Sequence, residues 1–198
     1  MNRILSRYIP IVLLILGLAC GPAPRTYLND DIAALKGYRV ALLPLDNLSD
    51  VDGASTKVDE IVLVELLHLG LFDVVDPGEV EKVLMELRIR RTYELTREEI
   101  TALSEKLDIR ALLTGSVLEY GSRESRSAGG TSVPTVSVVL RMIEAASGRI
   151  LWAASHSRTG DDAEKVFGVG RVRNQSKLSK TLIKDMLESM RSIDWSDE

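Results

Sequence analysis

The spacing of apolar positions changes character along this chain, from helical periods in its first part to strand alternation further on. "YRVALLPL", Tyr38 to Leu45, is apolar on both alternating faces, which predicts a central strand covered on both sides, with Pro44 near its end. After the turn-rich "DNLSDVDGAS", the run "TKVDEIVLVELLHLG" predicts a mostly buried helix stopped by Gly70. "LFDVV" predicts a short strand. Asp76, Pro77 and Glu79 then have the form of an N-cap, a first-turn proline and a capping-box acid. They open a helix with Val80, Val83, Leu84 and Leu87 on one stripe. Thr96 and Glu99 form a second capping box ahead of Ile100, Leu103 and Leu107.

Period two takes over at "IRALLTGSVLEY", "TVSVVLRMIEA" and "RILWAASHSR", the three runs beginning at Ile109, Thr135 and Arg149. In the second, Val136, Val138, Leu140 and Met142 alternate with polar neighbours, as a strand with one buried face requires. Ala146 to Gly148 predicts a tight hairpin turn, and Gly121 to Pro134 a polar, mobile loop between two strands. A last helix is expected over Gln175 to Ile193, with Leu178, Leu182, Met186 and Met190 in line to cover the sheet. The order is strand, helix, strand, two helices, three antiparallel strands, helix, which predicts a mixed α/β sheet with flanking helices.

The amino terminus follows another logic. Arg3 and Arg7 precede the uncharged run "IVLLILGLA", and small residues then meet Cys20, the layout of a secretory signal. Ile9 to Ala19 is about half the roughly 20 residues a spanning helix needs. Cys20 is the sole cysteine, so it has no internal disulfide partner, and a lipid attachment point explains a lone thiol in an oxidising compartment. Leu16, Gly17, Leu18 and Ala19 before Cys20 resemble a bacterial lipobox. By resemblance to Gram-negative lipoproteins, Gly21 after the cysteine implies sorting to the outer membrane, with the domain facing the periplasm. The organisation expected is a signal peptide over 1–19, a tether over 20–37 stiffened by Pro22 and Pro24, a domain over 38–193 and a tail over 194–198.

Charge narrows the partners. The chain carries a formal −4, and the signal holds two of the positive charges, so the remainder is near −6. A mildly acidic domain with few aromatics and no basic cluster is a poor nucleic-acid binder.

The segments "RVALLPLDNLS", "LGLFDVVDPGEVEKVLMEL", "LDIRALLTGSVLEY" and "SGRILWAAS" together resemble the periplasmic domain shared by the curli secretion lipoprotein CsgG, the TolB amino-terminal domain and the lipoprotein LpoB. The resemblance runs from about Tyr38 to Ile193. It implies an anticodon-binding-domain-like α/β fold and a role in protein contacts at the cell envelope, with no shared catalytic residue. A homo-oligomer is compatible with that role.

Candidate chemistry is sparse. His68 and His156 lack metal-spaced partners and read as structural or surface histidines. "FGVGRVRNQ", Phe167 to Gln175, has glycines and arginines before a helix but not the phosphate-loop spacing, and reads as a flexible lead-in. Asp161 and Asp162 read as a solvated loop rather than a cation site, and Ser116 lies in a strand, outside any nucleophile elbow. No metal, cofactor or catalytic residue is assigned. The expected role is a non-enzymatic accessory or assembly factor, membrane-held through its lipid, for an envelope machine. A subunit of a CsgG-like secretion channel is the alternative. Against it, "SRESRSAGG" is too short and charged to form a spanning hairpin by itself.

Overall fold

A computed structural model describes residues 22–124, 132–164, 170–192 and 195. One mixed seven-stranded sheet organises them, with β1 Arg25–Leu28, β2 Arg39–Leu42, β3 Asp46–Asn47, β4 Asp73–Val74, β5 Ala111–Glu124, β6 Ser132–Glu144 and β7 Ile150–Thr159. The strands run in the order β1-β7-β6-β5-β2-β4, and β3 pairs with β5 beyond the end of β2. On one side of β5 the neighbours β2 and β3 are parallel to it; on the other, β6 is antiparallel. Seven successive residues of β5, Ala111 to Val117, are buried, as a strand covered on both faces should be.

The helices are α1 Ala54–Leu69, α2 Pro77–Glu86, α3 Arg97–Leu107 and α4 Gln175–Glu188. Helices α1 and α4 cover one face, where Val58, Val62, Leu66, Leu182, Ile183 and Met186 pack with Leu113, Leu140 and Trp152. Helices α2 and α3 cover the other, where Val80, Leu84, Leu103 and Leu107 pack with Ala41, Leu43 and Leu112. All nine elements expected from the pattern are present. Gly70 ends α1 in the left-handed conformation, and Thr96 and Glu99 close their capping box with bonds of 3.2 and 2.7 Å.

Other particulars differ from expectation. Helix α1 is one-sided rather than mostly buried: Val64 and Leu67 are more than half exposed, since a helix lying on a sheet hides only one stripe. Glu79 turns to Arg39 at 3.4 Å, leaving Asp76 to cap Gly78 and Glu79 by itself. The segment Gly121 to Pro134 is shorter as a loop than expected. Its first four residues continue β5 and its last three continue β6, with Arg123 opposite Val133, while 125–131 lie outside the described residues. Polar composition hid those strand ends, because backbone pairing there is independent of side-chain polarity.

The described part of the expected tether, 22–37, also holds more structure than a tether. Strand β1 pairs antiparallel with β7, and the 3-10 helix Asp30–Leu35 buries Ile32 and Leu35 in the core. Helix α4 gives way at Ser189 to a 3-10 turn, Ser189–Ser192. There the Ser189 hydroxyl accepts from the buried Trp152 indole at 3.0 Å and donates to the Met186 carbonyl at 2.6 Å. Within the supposed tail, Trp195 meets Phe72 edge-on at 5.8 Å and accepts at its carbonyl from Lys36.

Strand β5 approaches β6 most closely at Gly115, where an added Cβ would collide with the Val139 carbonyl. Gly115→Ala is therefore expected to destabilise the fold by about 1–3 kcal/mol, read as a lower urea midpoint at unchanged slope.

Candidate functional site

Parallel strands direct ligands toward their carboxyl ends, and a crevice opens at that end of β2. Its volume is about 320 Å³. Leu42, Leu43 and Pro44 form the floor, α1 contributes Thr56, Asp59, Glu60 and Leu63, and the start of α2 contributes Pro77 and Glu81. The local sequence explains the shape. Leu43 still donates to Leu113 of β5 at 2.9 Å, but Pro44 has no N–H, so the ladder stops. The Pro44 carbonyl takes the Thr92 hydroxyl, and Thr92 in turn accepts from buried Thr114 on β5.

Where the ladder stops, Leu45 N–H needs another acceptor, and Asp59 Oδ1 provides it at 3.0 Å. Burial pushes the Asp59 carboxyl from 3.8 up to about 7, and the bond from Leu45 only partly offsets that. Asp59 is thus a half-buried acid with a proton to exchange near neutral pH. Sequence reasoning passed over it; the available signal was an acid directly after Val58 at the head of an apolar helical run, with Glu60 beside it. Its bond places it as a cap on the end of β2. Among the described residues, no group of three or more His, Cys, Asp or Glu side chains is arranged to hold a metal ion.

The residues singled out from sequence do not converge on this crevice. His68 is exposed on the last turn of α1, and Arg191 donates to its carbonyl at 3.3 Å. His156 is buried between β7 and α4, where its Nε2 accepts from Arg158 Nε at 3.1 Å. Arg158 also binds Asp185 at 2.6 Å, fastening β7 to α4. Desolvation, reinforced by the Arg158 charge, holds the His156 imidazole below its ordinary value of 6.5. Ser116 is buried in β5, and its hydroxyl has no hydrogen-bond partner among the described residues. Asp161 and Asp162 both fold back on the Thr159 hydroxyl, at 2.7 and 2.5 Å, and Asp162 also accepts from Thr159 N–H. They fasten the end of β7 from a turn in which Asp162 stays exposed. From the glycine- and arginine-bearing lead-in, Arg171 pairs with Glu164 at 2.7 Å and Asn174 caps α4. Residues 165–169 lie outside the described residues, as does Cys20.

Comparison with known proteins agrees with this fold. Residues 37–189 match the family described as the curli production assembly/transport component CsgG. Among solved structures, the PelC dodecamer from Paraburkholderia phytofirmans is similar at 17% identity, covering 84% of this chain and 96% of that one, with a TM-score of 0.53. Lipoprotein GNA1162 from Neisseria meningitidis is similar at 19% identity, with coverage of 78% and 99% and a TM-score of 0.56. The LpoB C-terminal domain from Escherichia coli is a more distant likeness, at 13% identity, 65% and 93% coverage and a TM-score of 0.46. No curated protein sequence matches the chain.

The two buried titrating groups act on stability in opposite directions with pH. Asp59 holds a proton in the folded chain between about 4 and 7 that the unfolded chain has released, so stability falls as pH rises through that window. Asp59→Asn keeps an acceptor for Leu45 and is expected to remove this loss, gaining on the order of 2–4 kcal/mol over the wild type at pH 8 and much less at pH 4. His156 has the reverse sign: below 6.5 the unfolded chain takes a proton that the folded chain resists. His156→Gln should flatten the acid side of the stability profile while leaving the alkaline side unchanged. Urea midpoints of both variants, measured from pH 4 to 8, check the two slopes.

Proposed function

We infer the role of this protein from the family to which it belongs, that of the curli production assembly/transport component CsgG. The proposed role is a non-enzymatic accessory or assembly factor of an envelope machine, acting by protein–protein contact. The observation that carries it is the family match across nearly the whole folded part of the chain, 37–189. The crevice at the end of β2 supports a binding rather than a catalytic role, because its half-buried acid is occupied in capping the backbone at Leu45.

In this reading a lipid on Cys20 holds the domain at the periplasmic face of the outer membrane. The signal layout ahead of Cys20 supports that, and the similarly folded GNA1162 is itself a lipoprotein. No helix among the described residues is long and apolar enough to cross a membrane. PelC, similar in fold, forms a dodecamer, which supports assembly of several copies here as well. The outer end of β5 carries Glu119, Ser122, Arg123 and Glu124, in place of the apolar alternation that a lipid-facing strand requires.

Metabolic labelling with an alkyne fatty acid is expected to mark the wild type and leave Cys20→Ser unmarked. In crosslinked envelopes the wild type should recover a reproducible protein partner, and Cys20→Ser should lose it together with membrane attachment. Label retained on Cys20→Ser would overturn the anchor. A partner recovered equally by the unanchored variant would separate docking from lipidation.

A further inference from the structure

The place of β1 leaves little chain between the sheet and Cys20. Strand β1 is fixed to β7 from its first residue, with Arg25 opposite Ser155 and Leu28 opposite Trp152. Five residue steps separate Arg25 from Cys20, and an extended chain spans at most about 18 Å in that number. A domain of this size is about 40 Å across, so a lead that short cannot turn its far side toward the point of attachment.

The register sets what lies around the start of β1. Because β1 and β7 are antiparallel, β1 starts toward the end at which β7 finishes, at Thr159. Thr159 sits opposite Thr135 of β6, and the Thr135 carbonyl accepts from the side chain of Gln175, at the head of α4, at 2.8 Å. The start of β1, the end of β7 and the entry to α4 thus form one end of the molecule. Three exposed cations there, Arg25, Arg173 and Lys177, have no ion-pair partner among the described residues. The acids of this end are mostly engaged: Glu164 pairs with Arg171, Asp185 pairs with Arg158, and Asp161 and Asp162 hold Thr159, while Glu124 stays exposed at the end of β5. Across β5, at the carboxyl end of β2, the crevice is instead walled by Asp59, Glu60 and Glu81.

Beside these cations β1 presents a bare face. Thr26 and Leu28 lie on the side of Ala154 and Trp152, which pack with α4, so Arg25 and Tyr27 point to the other side. Among the described residues none from β1 or β7 belongs to the core beneath α2 and α3, and Tyr27 is 53% exposed. An exposed tyrosine among cations suits a headgroup layer, where the ring meets the acyl boundary and the charges meet phosphate. We propose that this end of the domain, with Arg25, Tyr27, Arg173 and Lys177 foremost, rests on the phosphate headgroups of the membrane that holds Cys20. This rests on the lipid anchor put forward above, and adds to it the face that the bilayer meets.

The test uses the lipidated full chain in vesicles of phosphatidylethanolamine and phosphatidylglycerol, a fraction of whose headgroups carry a fluorescence quencher. With its sulphur carrying the lipid, Cys20 offers no free thiol, so a dye on one introduced cysteine reports one position. Tyr27→Cys and Ser176→Cys, at the start of α4, probe the proposed surface; Val64→Cys on α1 and Glu105→Cys, late in α3 and near the start of β5, probe positions away from it. Quenching at the first pair is expected to exceed that at the second about threefold, and Arg173→Glu with Lys177→Glu to lower it at Ser176→Cys by about half. Equal quenching at all four positions on floated vesicles would overturn the orientation and leave the anchor standing. Failure of the chain to float with the vesicles would overturn the anchor and the orientation together. A dye at Tyr27→Cys that is shielded from water yet unquenched would assign this face to a protein neighbour and overturn the proposal. Far-ultraviolet circular dichroism checks that each variant is folded.

Discussion

Strand β5 is the constraint on which this structure turns. It is parallel to β2 and β3 on one side and antiparallel to β6 on the other, so it joins two sheet halves with different hydrogen-bond geometries. Both of its faces must therefore be covered. The parallel half requires crossover connections, and these supply α1 to one face and α2 with α3 to the other. The antiparallel half needs only a hairpin on either side of β6, so its long strands bring no helix with them until α4 returns across them. The unbroken buried run Ala111 to Val117 is the mark of that double coverage, and Gly115 marks where the neighbouring backbone leaves no room for a side chain.

The bonded polar groups of this core complete the backbone or bridge layers, whereas the Ser116 and Thr135 hydroxyls are buried without a hydrogen-bond partner among the described residues. Asp59 accepts the Leu45 N–H that Pro44 has taken out of the ladder, and Thr114 and Thr92 anchor the same corner. His156, Arg158 and Asp185 link β7 to α4, and the Trp152 indole reaches Ser189 where α4 ends. Each set satisfies a group that would otherwise be buried without a partner, which costs about 1–3 kcal/mol apiece. A carboxyl at its ordinary value would be ionised at neutral pH. The half-buried position of Asp59 instead leaves it shared between two protonation states near pH 7.

What the sequence made legible follows from which forces leave a periodic trace. Burial of one helix stripe or one strand face does, so α2, α3, α4 and the inner halves of β5, β6 and β7 were readable residue by residue. Backbone pairing does not, and for that reason β1, β3 and the polar ends of β5 and β6 were missed: Arg25, Ser122 and Glu124 pair through main-chain groups while their side chains stay in water. The 3-10 segment Asp30–Leu35 is too short for a period to show. Asp59 was missed for a different reason. Its significance arises from contact with Leu45, fourteen positions earlier, where a single proline ends the strand pairing.

That distribution of polar groups bears on how a protein of this fold works. Open α/β sheets place ligand sites at the carboxyl ends of parallel strands, and here that position holds a crevice whose one well-placed carboxyl is already engaged. Catalysis needs groups held in position but free to react, and Asp59 meets the first condition while its bond to Leu45 compromises the second. Docking asks instead for surface that folding has left unsatisfied: exposed apolar atoms and charges without partners. Those are found at Val64 and Leu67 on α1 and at Glu81 and Met85 on α2, and also off the helices at Tyr27, Leu48 and Leu118. The inside of the molecule is committed to holding the sheet together, and the surface that folding leaves unsatisfied lies outside it.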